Sequence, residues 1–424
     1  ADEKFDLIVT DPPYRDDVPY AELSDFYFVW LKRALCDVVD GRLAPRFHSD
    51  AFFNDGREVE VQWREYAVAE ISYSDGRARY FGLSSGLDHY KRLMALAFIT
   101  MSERLEDEGI LVTYFAHTSP DAWAELIEAG WKHGGFMVTA GFPLATESTQ
   151  SVVKRGKLSL DTSIVVVWRK ATGGRPAASM ESVSEEMFRE GVRWAEKVLG
   201  RLYGRDLFFS VLAKVLSVAT RYSSLYDSRG EVEVRRLVDE YVVPITARAL
   251  VAAAGGEAEE IALDKIALFY MVTKILYHVS GGVAVREKIL SDDDVVLLTL
   301  ATRVDRDDLL NYRILVKSDK EEYRFMEPPY KGVKEFEEFL ESRGVNPVKL
   351  EVVERNACSI DVLHLMEYAT LFTGDPRRYF EELKKAYPAL YDTAVKLAEL
   401  LARALPGDPE SLVCRKVLYY VRGG

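Results

Sequence analysis

The chain has 424 residues, of which 48% are hydrophobic and 29% charged, with a net charge of −13. That length allows two domains with ample core, and the acidic balance excludes a protein that coats nucleic acid with its whole surface, leaving only local basic patches for phosphate contact. No apolar run approaches the ~18 residues that span a bilayer, so the expected location is cytoplasmic. Cys36, Cys358 and Cys414 are too scattered for a disulfide framework or a zinc site. Only six residues are Asn or Gln, and depletion of thermolabile amides beside many ion-pair formers is a thermophile habit.

The apolar run over residues 5–10 predicts a buried strand, and it ends directly in Asp11-Pro12-Pro13-Tyr14. An amine conjugated to a heteroaromatic ring is planar and a poor nucleophile. An Asp carboxylate and a carbonyl of the Asp-Pro-Pro turn can accept its two hydrogens, drive the nitrogen toward tetrahedral geometry and ready its lone pair. Both prolines fix φ and remove donors, so the loop presents acceptors, while Tyr14 offers a ring face for a flipped base. The alternative is a Pro-Pro turn that only caps the strand. A helix is expected over 22–35, and strand, motif, helix is the order in which an open α/β sheet places ligands at its carboxyl edge. Asp16 and Asp17 either shape the loop over the substrate or are solvated turn residues.

Residues 42–87 interrupt this core, mixing eight aromatics with six arginines and seven acids. They read as a target-recognition insertion, by base stacking and phosphate contact, or as a small satellite core. A helix is expected over 88–106, with Leu93, Leu96, Ala97, Met101 and Leu105 as its apolar face and Gly109 ending it. Strands are expected over 110–115, 135–141 and 163–168. Between the first two, a helix over 120–129 has Ser119 or Thr118 as its cap. His117 follows a strand at the ligand-binding edge, as do Thr146 and Glu147. Thr146 and Glu147 could meet substrate or cofactor, or make loop hydrogen bonds. Lys154, Arg155 and Lys157, in the connection over 143–162, are the best local basic candidates for a DNA backbone, against the alternative of an ordinary solvated loop.

The Gly/Pro/Ser-rich stretch over 171–184 reads as a linker. Helical periodicity then marks 185–202, 232–254, 261–279, 358–372 and 389–404, with Pro244 expected to kink or split the second. A helix-like segment over 292–301 and strand-like pieces over 313–316 and 322–325 suggest a small winged or hairpin module. Asp361 and His364 lie one helical turn apart with no third ligand in the sequence, so they are expected to hold a helix packed.

Residues 6–35 with their Asp-Pro-Pro-Tyr tetrapeptide, Ala122-Trp123, Phe142-Pro143, Thr146-Glu147 and residues 359–364 resemble the amino-methylating class of S-adenosylmethionine-dependent DNA methyltransferases. Within that class they resemble the large adenine-specific DNA methylases of prokaryotes that carry an N-terminal domain of unknown function, some of which sit in anti-phage defence clusters. The resemblance implies methyl transfer from S-adenosylmethionine to the exocyclic amine of a flipped adenine in DNA, in a restriction-modification or defence setting. The base would stack on Tyr14, its amine held by Asp11 and the Pro12 carbonyl. Such transfer needs alignment more than proton abstraction, so His117 is assigned to positioning or packing. The same tetrapeptide serves RNA base methyltransferases, and a non-catalytic DNA-binding subunit of a defence complex is a further alternative.

The implied fold is α/β: the C-terminal half of a Rossmann-like class I methyltransferase sheet over 1–170, then a mainly α-helical accessory or target-positioning region over 185–424. The family's glycine-rich cofactor turn is not found here. Gly173-Gly174, Gly255-Gly256 and Gly281-Gly282 follow no clear strand and read as linkers or helix termini. In the family that turn lies upstream of the catalytic strand, so the chain is expected to be the C-terminal part of a longer or split protein. A missing N-terminal half or partner subunit would carry the turn. Residues 5–10 would then form an unpaired apolar edge, an aggregation hazard unless covered; coverage by the chain's own helical region is the alternative.

Overall fold

Four apolar runs in the first 170 residues assemble into one mixed sheet. The computed structural model describes residues 3–13, 20–46, 52–54, 57–115, 119–145, 162–171, 173–280, 283–284, 287–319, 321–353 and 355–423. In chain order the first elements are β1 (Phe5–Thr10), α1 (Tyr20–Ala34), β2 (Cys36–Val39), β3 (Arg42–Pro45), α2 (Trp63–Ala69), α3 (Asp75–Phe81), α4 (Gly86–Arg104), β4 (Leu105–Phe115), α5 (Pro120–Ile127), β5 (Phe136–Ala145) and β6 (Thr162–Lys170). The spatial order is β1-β4-β6-β5. β1 runs parallel to β4, β6 antiparallel to β4, and β5 antiparallel to β6. Thus β1, β4 and β5 all point the same way and end at one edge. Each expected strand is present: β1 on its expected bounds, the other three longer. The molecule is mixed α/β, and none of its described helices is long and apolar enough to cross a membrane.

Two expectations around α4 are corrected. The buried stripe is Tyr90, Met94 and Phe98, four residues apart, whereas Leu96 is 55% exposed; several apolar faces compete on this helix and the sheet selects one. The helix ends at Arg104, and Gly109 lies inside β4. There the pairing to β1 jumps from Phe5 opposite Leu105 to Leu7 opposite Ile110. A Cβ on Gly109 would sit 2.7 Å from Leu105 Cγ and 2.9 Å from the Glu106 carbonyl, so the glycine permits a bulge rather than a helix end.

β1 pairs on one side only, and Phe5, Leu7 and Val9 are about half exposed. Helix α1 buries only Ala21 and Lys32, leaving Phe26, Tyr27 and Trp30 at 57–59% exposure. It is stapled to the insertion. Glu70 accepts from the Tyr20 and Ala21 backbone N–H groups at 2.8 and 3.0 Å, satisfying donors at the helix start. Arg77 bridges Glu22 and Glu70 and donates to Ser72. Trp63 stacks on Phe81 with centroids 5.5 Å apart. These contacts make 42–87 a small core of its own, with the β2–β3 hairpin straddling its expected start.

The expected linker over 171–184 is instead packed structure. β7 (Ala177–Ser179) pairs in parallel with β8 (Ser224–Asp227), and α6 (Met180–Val198) buries Met180 and Val183. Arg175 donates to the carbonyls of Phe136, Thr220 and Trp131. The most buried helix, α7 (Gly204–Ala219), lies against β5 so closely that a Cβ on Gly141 would come within 2.2 Å of Ala213 Cβ. Sequence periodicity missed α7, although Asp206, Ser210, Lys214 and Ser217 recur on it at helical spacing. Gly173 and Gly174 themselves have open space around them, so the order of this segment comes from β7, α6 and the Arg175 hydrogen bonds rather than from close approach of its small residues.

Beyond them follow α8 (Val243–Gly255), α9 (Lys265–Tyr277), β9 (Ile289–Ser291), α10 (Asp292–Thr302), α11 (Arg306–Asn311), β10 (Leu315–Asp319), β11 (Glu322–Phe325), α12 (Val333–Ser342), β12 (Val345–Asn346), β13 (Glu351–Val352), α13 (Ser359–Phe372), α14 (Pro376–Ala386), α15 (Pro388–Ala404) and α16 (Pro409–Val421). Pro244 stands in the first turn of α8, directly after a π-helical turn over Leu237–Val242, which splits the expected 232–254 helix. The expected hairpin module is a three-stranded sheet, β9-β11-β10. One hydrophobic core runs from Tyr90 on α4 to Leu418 on α16.

Candidate functional site

Asp11 leaves β1 with its side chain exposed, Pro12 is buried and Pro13 half-buried. The Pro13 carbonyl accepts from Tyr90 Oη at 3.0 Å. Tyr90 is 2% exposed on α4, so a core side chain fixes the motif loop. Proline removes the N–H but keeps the carbonyl, and the bond to Tyr90 engages the second of two successive carbonyls. Tyr90 is a residue that sequence reasoning missed. Its only signal is its place in an apolar helix, and the contact spans 77 residues.

The strand directions bring the ends of β1, β4 and β5 to one edge. Thr10 pairs with Thr113, Phe115 with Ile164, and Ile164 with Pro143. The chain therefore passes from Thr10 to Asp11, beyond Phe115 and beyond Ala145 at the same end of the sheet, the carboxyl end of three parallel strands. Tyr14, Asp16, His117, Thr146, Glu147, Lys154, Arg155 and Lys157 lie outside the described residues. A cleft of about 1040 Å³ belongs to the insertion around Asn54, Glu58 and Trp63, and none of residues 3–13 lines it.

A second cluster, deep in the helical region, was not legible as a unit. His364, Glu367 and Glu410 bring ligand-type atoms within 4.8 Å of one another, all buried, and Asp361 is not among them. The positive charge there is supplied by protein groups. Lys274, 2% exposed, donates to Glu410 at 2.6 Å and Asp408 at 3.0 Å, and pairs with Glu327 at 2.7 Å. Arg343 donates to His364 Nδ1 at 2.6 Å and to Asp361 at 2.8 Å. Tyr270 donates to both oxygens of Glu410, at 2.8 and 2.9 Å. A metal ion held by this cluster would have to displace the Lys274 ammonium.

The protonation states follow from burial and these charges. Burial pushes His364 down to about 4, keeping it neutral. Burial alone would raise Glu410, but the adjacent Lys274 ammonium wins and pulls it down to about 2. Glu367 is raised well above the carboxylate range by burial and then by the Glu410 charge. Burial would likewise raise Asp361, yet Arg343 and Arg355 hold it low. A fully buried network of this kind specifies one packing arrangement when every member is satisfied. Comparison with family models, with curated proteins and with solved structures yields no match for this chain.

Proposed function

We propose that the chain is the acceptor-side part of an S-adenosylmethionine-dependent amino-methyltransferase acting on an exocyclic base amine, with adenine in DNA as substrate. The observation that carries this reading is the position of Asp11-Pro12-Pro13 at the carboxyl end of a parallel edge strand, with the Pro13 carbonyl held by buried Tyr90. The four strands correspond to the second half of a Rossmann-like class I sheet. Asp11 and the Pro12 carbonyl accept the two amine hydrogens, and Tyr14 stacks the base.

The acceptor side fits the residues present. The donor side does not, since none of the glycine pairs that follow described strands, Gly173-Gly174 and Gly281-Gly282, is preceded by the Phe-x-Gly-x-Gly pattern of the family's cofactor turn. That turn is assigned to a further segment, in the same protein or a partner subunit, which adds strands beside β1 and covers Phe5, Leu7, Val9 and the aromatic face of α1. A contiguous apolar surface of this kind on a parallel edge strand is unusual without a partner. The cofactor supplies the sulfonium methyl group; this chain's residues orient the amine and exclude alternative poses.

The test is transfer of labelled methyl to DNA, RNA and protein by the chain alone and by the chain joined to its upstream segment. Label on DNA that Asp11→Ala abolishes and Tyr14→Phe largely preserves supports the reading. Preference for RNA selects an RNA base methyltransferase. No label on any substrate in either form overturns methyl transfer and leaves a binding subunit.

A further inference from the structure

We infer that the helical region carries an oxyanion site for a phosphate group, in the cleft of about 460 Å³ between the end of α11, the β12–β13 hairpin and the approach to α13. Arg313, Arg343, Arg355, Asn311 and Asn356 line it, with Asp308 as the acidic member.

The first observation is an orphan donor. Both Nη atoms of Arg355 are committed to Asp361, at 2.7 and 2.9 Å, while its Nε is buried without a hydrogen-bond partner. Leaving such a donor unfilled costs about 1–3 kcal/mol, and Arg355 is itself one of the residues that line the cleft.

The second is composition. The chain has only four asparagines, and two of them meet in this cleft beside Arg313 and Arg355. A protein so depleted of side-chain amides concentrates them where a ligand would use their N–H groups.

The third is backbone. Arg313 follows α11 with φ +50, in the left-handed region where glycine is the least costly residue. The position nevertheless carries a guanidinium, which donates to the Ser342 carbonyl. Guanidinium forks match oxyanions by paired N–H groups and retain their charge when half-buried.

This assigns a role to the motif at 359–364, which methyl transfer does not use. Asp361, 0% exposed, pairs with both Arg343 and Arg355 from behind, and His364 accepts from Arg343. They are positioning residues: Asp361 holds the Arg355 guanidinium beside the cleft, and the buried Arg343 ties Asp361 to His364 behind it. The volume lies within the range of ligand pockets and admits a nucleotide phosphate or one backbone phosphate of a nucleic acid. The common chemistry is the phosphate oxyanion.

The experiment is calorimetric titration of the full chain with inorganic phosphate, adenosine monophosphate and a short single-stranded oligonucleotide. Arg313 and Asn356 are exposed, so Arg313→Gln and Asn356→Ala keep the fold. Each is expected to weaken phosphate binding, Arg313→Gln by about tenfold or more, the loss of one charge-assisted bond. Arg235→Gln, in a different cleft, is expected to bind like the parent. Competition between oligonucleotide and phosphate identifies a nucleic-acid backbone as the source, whereas binding of the small probes alone identifies a nucleotide. Absence of binding by all three probes, or parental affinity in both cleft variants, overturns the site. Asp11→Ala is expected to bind phosphate normally, so this result and methyl transfer fail independently.

Discussion

Replacing Lys274 by Met keeps the length of the stem and removes one ammonium from between three carboxylates. Glu410, Glu327 and Asp408 then face one another at a point where Lys274 Nζ now lies 2.6–3.0 Å from each. Breaking a buried pair by deleting one partner costs about 3–5 kcal/mol, because the remaining charge stays buried. With about 2.1 cal/mol/K of unfolding entropy per residue over 424 residues, that loss lowers Tm by about 3–6 °C. The pH dependence makes the test specific. Glu410 titrates in the fold at about 2 against 4.5 unfolded, so its stabilisation is complete above pH 4.5 and is lost as pH falls toward 2. Without Lys274 the depression disappears and burial raises the carboxyl, so acidification relieves the variant. Thermal unfolding followed by circular dichroism at pH 7 and pH 4 should show a deficit that narrows on acidification. A variant that melts like the parent, or with an equal deficit at both pH values, refutes the account of the network.

Further outcomes are open to direct measurement. As pH falls from 6.5 toward 4, the unfolded chain takes up a proton that buried His364 refuses. Stability should decline by about 3 kcal/mol over that window, and His364→Gln should flatten the slope in denaturant titrations. Tyr90→Phe deletes the bond to the Pro13 carbonyl; it should cost about 1 kcal/mol while reducing methyl transfer by the completed protein, and unchanged transfer would detach Tyr90 from the site. Arg77→Met should release α1 and the insertion, so that limited proteolysis cleaves within 36–81 and spares the rest; an uncut insertion would deny Arg77 its anchoring role. Gly141→Val drives a side chain into Ala213 and should cost about 1–3 kcal/mol or more by overpacking, with Ala213→Gly partly restoring Tm.

The sheet was legible in the sequence because its strands are short, apolar and bounded by turn residues, and β1 fell on its expected bounds for that reason. The end of α4 was not, since Gly109 carries the same local signal whether it closes a helix or admits a bulge; only the register to β1 distinguishes the two. The stretch over 171–184 misled because its Gly/Pro/Ser composition hides a three-residue strand and the first turn of α6, whose pairing partner β8 lies more than 40 residues away in the chain. At the motif, Asp11 and the prolines stood out by chemistry, whereas Tyr90 did not. The polar network was hidden most completely: His364 and Glu410 are 46 positions apart in the chain and meet only through packing of α13 against α16.

The position of β6 between β4 and β5 constrains how the protein can be made. β6 is the last of the four strands to be synthesised, yet it supplies the hydrogen bonds that join its two neighbours. Residues 162–170 must therefore have left the ribosome before the inner strands can close. Until then β4 has β1 as its sole partner in this sheet, and the apolar faces of both remain open to water. Parallel and non-local pairings are slow to form, so the Asp11 edge takes shape late, and a nascent chain stalled before residue 162 is the species most exposed to aggregation.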